Sequence, residues 1–251
     1  DQLAGSTRGG PYTCSFWSDK RLWGGKVRRR SPENVVAELK ELVGSYPVKL
    51  VDFVDGTFTF DKKWMQRFAD TIKAEGLAVK WRCTARYDNM DEELLGWMRE
   101  SGCISLYFGL ESGSPDVLAS VDKKTTVEQI KLASSMVKKS GIVSVTSILL
   151  GLPEETRGDM EQTLELMEEL DTDLFDINCY VPLPGTRYWD ALSPAQREAI
   201  DWPLAGYKSF DNNFNSNIPQ HELQEILRRA YSIAGEAMRR FRERMTAHSS
   251  N

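Results

Sequence analysis

Gly141-Ile142-Val143-Ser144-Val145-Thr146-Ser147-Ile148-Leu149-Leu150 places a β-branched, apolar run directly behind a helix-closing glycine, and this join decides the fold. The same join recurs upstream, where Gly76 precedes Ala78–Ala85 and Gly102 precedes Ile104–Gly109. Further strands are expected over Leu3–Thr7, Lys49–Val54 and Phe175–Tyr180. Helix starts lie between them: Ser31-Pro32 supplies a cap and a proline at the first helical position, and Asp61 and Asp91 each precede a periodic apolar stretch. Strand-like segments alternating with amphipathic helices predict parallel strands joined by crossover helices, as a barrel or a doubly wound sheet. In either case ligands gather at the carboxyl ends of the strands.

Past Gly185-Thr186 the strand signals stop. A helix is expected at Ser193-Pro194, a polar loop at Asp211-Asn212-Asn213, and a charged helix over Gln220–Met245 with the apolar stripe Leu223, Ile226, Leu227, Ala230, Ile233. The stripe predicts packing on the barrel, and the interleaved Arg and Glu of the same helix predict a solvated outer face. Residues 1–190 therefore read as the barrel and 191–251 as a helical extension. Arg28-Arg29-Arg30 reads as a solvated loop.

With 251 residues, 41% hydrophobic and 10% aromatic, the chain can bury one large core. Its net charge of -5, with 32 basic among 37 acidic residues, gives no cationic field for a nucleic-acid backbone, so small molecules or proteins are the expected partners. No apolar run is long enough to cross a bilayer and the start has no signal-peptide core, which points to no membrane and a cytoplasmic location. The chain lacks an initiator Met and enters a motif at once, as expected of a domain from a longer protein. Cys14, Cys83, Cys103 and Cys179 lie far apart, as expected of reduced thiols, and His221 and His248 both fall in the terminal region. A histidine-centred metal site or a Ser-His-Asp triad in the barrel is thereby excluded, and there is neither a P-loop nor a G-x-G-x-x-G after a strand.

Several blocks follow one another in order: Ser6-Thr7-Arg8-Gly9-Gly10-Pro11-Tyr12-Thr13-Cys14-Ser15-Phe16-Trp17-Ser18, Arg30-Ser31-Pro32-Glu33-Asn34-Val35-Val36, Phe53-Val54-Asp55-Gly56-Thr57-Phe58 and Trp81-Arg82-Cys83-Thr84-Ala85-Arg86. Then come Gly102-Cys103 through Glu111-Ser112-Gly113-Ser114, Leu150-Gly151-Leu152-Pro153-Glu154-Glu155-Thr156 and Val181-Pro182-Leu183-Pro184-Gly185-Thr186. Together they resemble the radical S-adenosylmethionine (SAM) superfamily, nearest to its branch of cobalamin-dependent methylases and methylthiotransferases. The resemblance implies a partial (β/α)6 barrel of the TIM type, with SAM across the strand ends and a four-iron four-sulfur cluster on three cysteines spaced C-x3-C-x2-C. Here those positions hold Gly10, Cys14 and Trp17. Glycine offers no donor and the indole N–H has no usable lone pair, so the sequence predicts that the iron-sulfur cluster is absent unless Cys83 or Cys179 rebuilds it.

The resemblance also assigns SAM contacts. Phe16, Leu149 and Gly151 would meet adenine, and Tyr180 and Val181 would form the sixth-strand edge; core packing explains the apolar members equally well. The turn Asp55-Gly56-Thr57 would receive the methionine amino group, although Asp-Gly is also a good turn. Glu111 and Ser112 would hydrogen-bond ribose or methionine. Arg86 would meet a carboxylate of the ligand, or else pair with Asp88 or Glu111. Three functions follow. The chain could use SAM as an electrophile for methyl or alkyl transfer to a small-molecule substrate, with cobalamin as a carrier on a separate domain or partner protein. It could be an inactive barrel serving as a partner or regulatory module, or a radical enzyme with rebuilt ligands.

Overall fold

A computed structural model of the chain describes every residue except Thr13, Gly25, Leu204, Ser250 and Asn251, and all side chains among these except those of Asp19, Lys20, His248 and Ser249. The elements in order are β1 (Gln2–Ala4), β2 (Thr7–Arg8), α1 (Asp19–Trp23), β3 (Arg28–Arg29), α2 (Pro32–Ser45), β4 (Val51–Phe53), α3 (Lys62–Ala74) and β5 (Trp81–Ala85). After a 3-10 turn at Tyr87–Asn89 come α4 (Glu92–Glu100), β6 (Cys103–Glu111), α5 (Pro115–Ser120), α6 (Val127–Ser140), β7 (Val143–Leu150), α7 (Arg157–Glu169) and β8 (Leu174–Cys179). The chain ends in α8 (Arg187–Ala191), α9 (Pro194–Glu198) and α10 (Gln220–Ser249).

Six strands form one parallel sheet in the order β1-β4-β5-β6-β7-β8, so each strand lies beside its successor in the sequence of crossovers, as in a partial (β/α)6 barrel. The local signals explain the boundaries. Ser31, Asp61 and Asp91 each accept the N3 backbone N–H of the helix they cap, and Gly141 ends α6 in the left-handed region at φ 76°. The expected strand over Leu3–Thr7 divides in two. Buried Asp55 accepts both the N–H and the hydroxyl of Ser6, which pulls the chain off the main sheet, and β2 then pairs antiparallel with β3 in a separate hairpin.

That hairpin corrects the reading of Arg28-Arg29-Arg30 as a solvated loop. Arg29 is largely buried, its guanidinium 3.7 Å from the Trp64 ring centroid and 4.4 Å from that of Phe60, and it donates to the Phe58 carbonyl. Arg30 pairs with Glu38, and only Arg28 points wholly to water.

Side chains alternate along the strands, and the two faces differ in polarity. Outward-facing Phe53, Leu106, Phe108, Leu110, Ile148, Leu150 and Ile177 are buried beneath the helices in one core. Phe53, Phe58, Phe68 and Trp81 form its aromatic centre, with ring centroids 4.5–5.8 Å apart. Inward-facing Asp52, Arg82, Thr84, Ser105, Tyr107, Ser147 and Asn178 line a lumen. Helix α10 packs along β8 and α7, its Leu223, Ile226, Leu227 and Ala230 buried in the same core as the strands, while Arg157 and Arg229 of this seam pair with Glu222, Glu225 and Glu161. Arg239, Arg240 and Arg242 stay exposed. No helix among the described residues is long and apolar enough to cross a membrane.

Candidate ligand site at the mouth of the barrel

Parallel strands covered on both faces are normally apolar on both. The polar lumen departs from that rule and opens into a cavity of about 1180 Å³ at the carboxyl ends of the strands. Ordinary small-molecule sites occupy roughly 300–1,000 Å³, so this one lies at the upper end of that range. Strand register orders its wall in tiers: Asp52, Arg82 and Ser105 lie side by side deepest, then Thr84, Tyr107 and Val145, then Gly109 and Ser147, with Asp176 beside Ser147 on β8. Arg82 donates to Asp52 at 2.7 Å, and Tyr107 donates to Asp176 at 2.6 Å.

Above the lumen lies the loop between β2 and β3. Gly9 (φ 77°) turns it where any Cβ would sit 2.4 Å from the Lys26 carbonyl oxygen, so only glycine fits. Ser15 bridges two elements, donating its N–H to the Val121 carbonyl at 3.1 Å and accepting the Arg187 N–H at 3.3 Å, and the Ser18 hydroxyl donates to the Pro184 carbonyl. The loop is thus held by protein contacts on both sides. Phe16 is buried against Leu149, Tyr180 and Tyr188, whereas Trp17, next along, is 54% exposed.

Arg86 occupies the end of β5. It makes a two-pronged ion pair with Asp88, reaches Thr125 at 3.3 Å, and stacks 4.0 Å from the Tyr12 ring centroid; its Nη1 lies 3.9 Å from the Cys14 sulfur. Of the two protein pairings open from sequence, the one with Asp88 is formed, while Glu111 pairs with Lys123. Burial pushes the Cys14 thiol above its ordinary range, with Lys123 and Arg86 pulling it back.

Glu111 ends β6 at φ 70°, just past a register shift between Gly109 and Glu111, and its carboxylate is locked to Lys123 at 2.7 Å with both side chains 7% exposed. A Cβ on Gly109 would lie 2.3 Å from that carboxylate, so glycine there lets the ion pair cross the strand. The pair supplies a structural reason for a carboxylate at a strand end.

Of the residues assigned from sequence, Gly10, Cys14, Phe16, Trp17, Asp55, Gly56, Thr57, Arg86, Glu111 and Leu149 all line this one cavity. Ser112, Gly151, Tyr180 and Val181 lie outside its lining. Ser112 is fully buried and bonded to the Thr163 hydroxyl at 3.1 Å, which turns it toward α7. Gly151 (φ 84°) turns the chain after β7, and its N–H, with that of Leu152, is taken by the buried Glu155 carboxylate. Nothing local in the sequence singles out Lys123 or Tyr12, which reach the site from loops. Tyr107 had a signal: Ser105, Tyr107, Gly109 and Glu111 alternate along β6 with wholly apolar neighbours.

The donor set for an iron-sulfur cluster can be read directly. Cys14 is the one thiol on the loop; Cys83 and Cys103 are buried neighbours on β5 and β6, and Cys179 is buried at the end of β8, where burial pushes its thiol up to about 11. No three His, Cys, Asp or Glu side chains among the described residues are grouped to hold a metal ion. Against a cluster held by three thiolates, the loop itself supplies one, Cys14.

Fold and site together define a partial α/β barrel with a polar cavity at its strand ends. The chain belongs to the radical SAM superfamily, whose family model matches residues 7–167. It is 33% identical to an uncharacterized methyltransferase of Pyrococcus horikoshii, over 90% of this chain and 49% of that protein. Over 70% of this chain and 32% of the relative, it is 32% identical to an anaerobic magnesium-protoporphyrin IX monomethyl ester cyclase of Rubrivivax gelatinosus. The chain thus spans half or less of these relatives. Among solved structures it is similar to the radical SAM methyltransferase TsrM of Kitasatospora setae, which has cobalamin and a four-iron four-sulfur cluster bound, with a TM-score of 0.63 and 18% identity over 69% of this chain and 33% of that one.

Proposed function

We propose that the barrel binds SAM at the strand ends and uses it without reductive cleavage, donating its methyl or another alkyl group to a small polar acceptor in the lumen. The observation that carries this reading is the donor count: a loop otherwise intact, opening on a cavity of about 1180 Å³, presents one thiol where the superfamily pattern has three. A sulfonium is already activated, so transfer by this route asks for placement of a nucleophile and needs no electron source. The acceptor's lone pair forms the new bond to carbon, the C–S electron pair leaves with sulfur, as S-adenosylhomocysteine when methyl moves and as the methyl-bearing thioether when another alkyl group does, and the acceptor's proton passes to solvent.

The chain's own residues supply the placement. Leu149 and Phe16 offer an apolar shelf, the Asp55-Gly56-Thr57 turn offers backbone at the rim, and Arg86, fixed by Asp88, offers a rigid guanidinium. Below them the lumen tiers present hydroxyls and paired charges to an acceptor. The similarity to a cobalamin-bound methyltransferase supports a carrier held by a further domain, which would pass the methyl group on. Calorimetric titration of chelator-treated protein tests the reading. Saturable binding of both SAM and S-adenosylhomocysteine is expected without iron; no binding of either would discard it and leave an inactive barrel acting as a partner module.

A further inference from the structure

Trp17 stands where the superfamily pattern has a cluster thiol, and three observations show what it does instead. First, its side chain lines the same cavity as Cys14, Asp55 and Glu111, and it is 54% exposed while the adjacent Phe16 is 5% exposed. Its contact with Phe16 is tilted, at 5.8 Å and 45°, and leaves most of the indole open. Second, two of the aromatic rings lining the cavity, Tyr12 and Trp23, are already faced by the protein's own cations, as is Tyr188 close by. Arg86 lies over Tyr12 at 4.0 Å, Arg187 over Tyr188 at 5.0 Å and Arg8 near Trp23 at 6.0 Å, whereas among the described residues no side-chain cation lies over Trp17. Third, the cavity it lines has open space, and two of the cations in its wall are paired. A Cβ on Gly10 would meet nothing within 4 Å, and the nearby cations Arg86 and Lys123 are neutralised by Asp88 and Glu111.

An exposed indole face in a partly desolvated cavity attracts a cation placed within about 6 Å of the ring. We propose that Trp17 binds the sulfonium of SAM through this attraction, serving as the anchor in a chain whose loop lacks the donors for a cluster. The inference rests on the reading of SAM as the ligand and adds to it that the charge on sulfur is what Trp17 recognises.

S-adenosylhomocysteine lacks both the charge and the methyl group, and sinefungin restores a cation as an ammonium in place of the sulfonium, so the three ligands together isolate the effect of charge. In calorimetric titrations of the wild-type protein, SAM and sinefungin should bind about 3- to 30-fold more tightly than S-adenosylhomocysteine, the range that such contacts support. Trp17→Leu should remove that preference by weakening the two cationic ligands while leaving S-adenosylhomocysteine within about twofold, and Trp17→Phe should keep part of it. Thermal unfolding of each variant confirms that it folds, and the wild-type ratio needs no variant. Equal wild-type affinity for charged and uncharged ligands would overturn the role of Trp17 and spare SAM binding. An equal loss of all three ligands in Trp17→Leu would make Trp17 a packing shelf and overturn it too. Binding of none of the three by the wild type would bring down both readings together.

Discussion

Glu155 offers the sharpest quantitative prediction. Its carboxylate is 1% exposed; one oxygen accepts the N–H groups of Gly151 and Leu152 at 2.8 and 3.2 Å, and the other has no partner among the described residues. Burial pushes this carboxyl up from 4.5 to about 8, against the two backbone donors that pull it down. A group whose folded value lies above its unfolded value stabilises the fold as the protonated form. Its contribution is therefore full below pH 4.5 and gone above about pH 8. Between pH 6 and pH 9 the wild-type protein should lose about 2.6 kcal/mol from this group alone, or roughly 5–10 °C in melting temperature for a chain of this size. Glu155→Gln keeps the acceptor and does not titrate, so its curve should be flatter by that amount. Urea unfolding of both proteins at half-unit pH steps measures the difference directly. Parallel curves from pH 6 to pH 9 would refute the claim that the turn after β7 closes on a protonated carboxyl.

Further substitutions probe the scaffold. Lys123→Met removes the partner of a buried carboxylate at a strained backbone position and should cost about 3–5 kcal/mol by denaturant unfolding, whereas the exposed pair Lys40–Glu75 should contribute under about 1 kcal/mol. Gly113→Ala would put a Cβ 2.5 Å from the Gln162 carbonyl oxygen and 2.7 Å from the Thr163 Cα, both backbone atoms that must shift, and should lower stability by about 1–3 kcal/mol in the same assay; Gly44→Ala, with open space at its Cβ inside α2, should raise it.

What was legible in the sequence is what is written locally. Helix caps at Ser31, Asp61 and Asp91 and the closing glycines act within a few residues, so the six main strands and their crossovers followed from them and β7 fell on Val143–Leu150. The contacts that shape the site are mostly set by three-dimensional closure. Lys123 meets Glu111 only because α5 folds back over the end of β6, and Ser112 leaves the cavity because Thr163 of α7 takes its hydroxyl. Arg29 looked like part of a charged run, yet Phe58, Phe60 and Trp64, more than thirty residues away at the farthest, converge on it. The lumen lay between these extremes. Its polar tier could be read from the alternation along β6, but the pairing of Arg82 with Asp52 and of Tyr107 with Asp176 depends on register between strands.

The decisive measurement is anaerobic reconstitution with iron and sulfide followed by addition of reductant and SAM, reading bound iron, thiolate-to-iron absorbance and nucleoside products together. A chain with one loop thiol should retain no stoichiometric iron and release no 5'-deoxyadenosine while still binding SAM. Four irons per chain with reductive formation of 5'-deoxyadenosine would contradict the account.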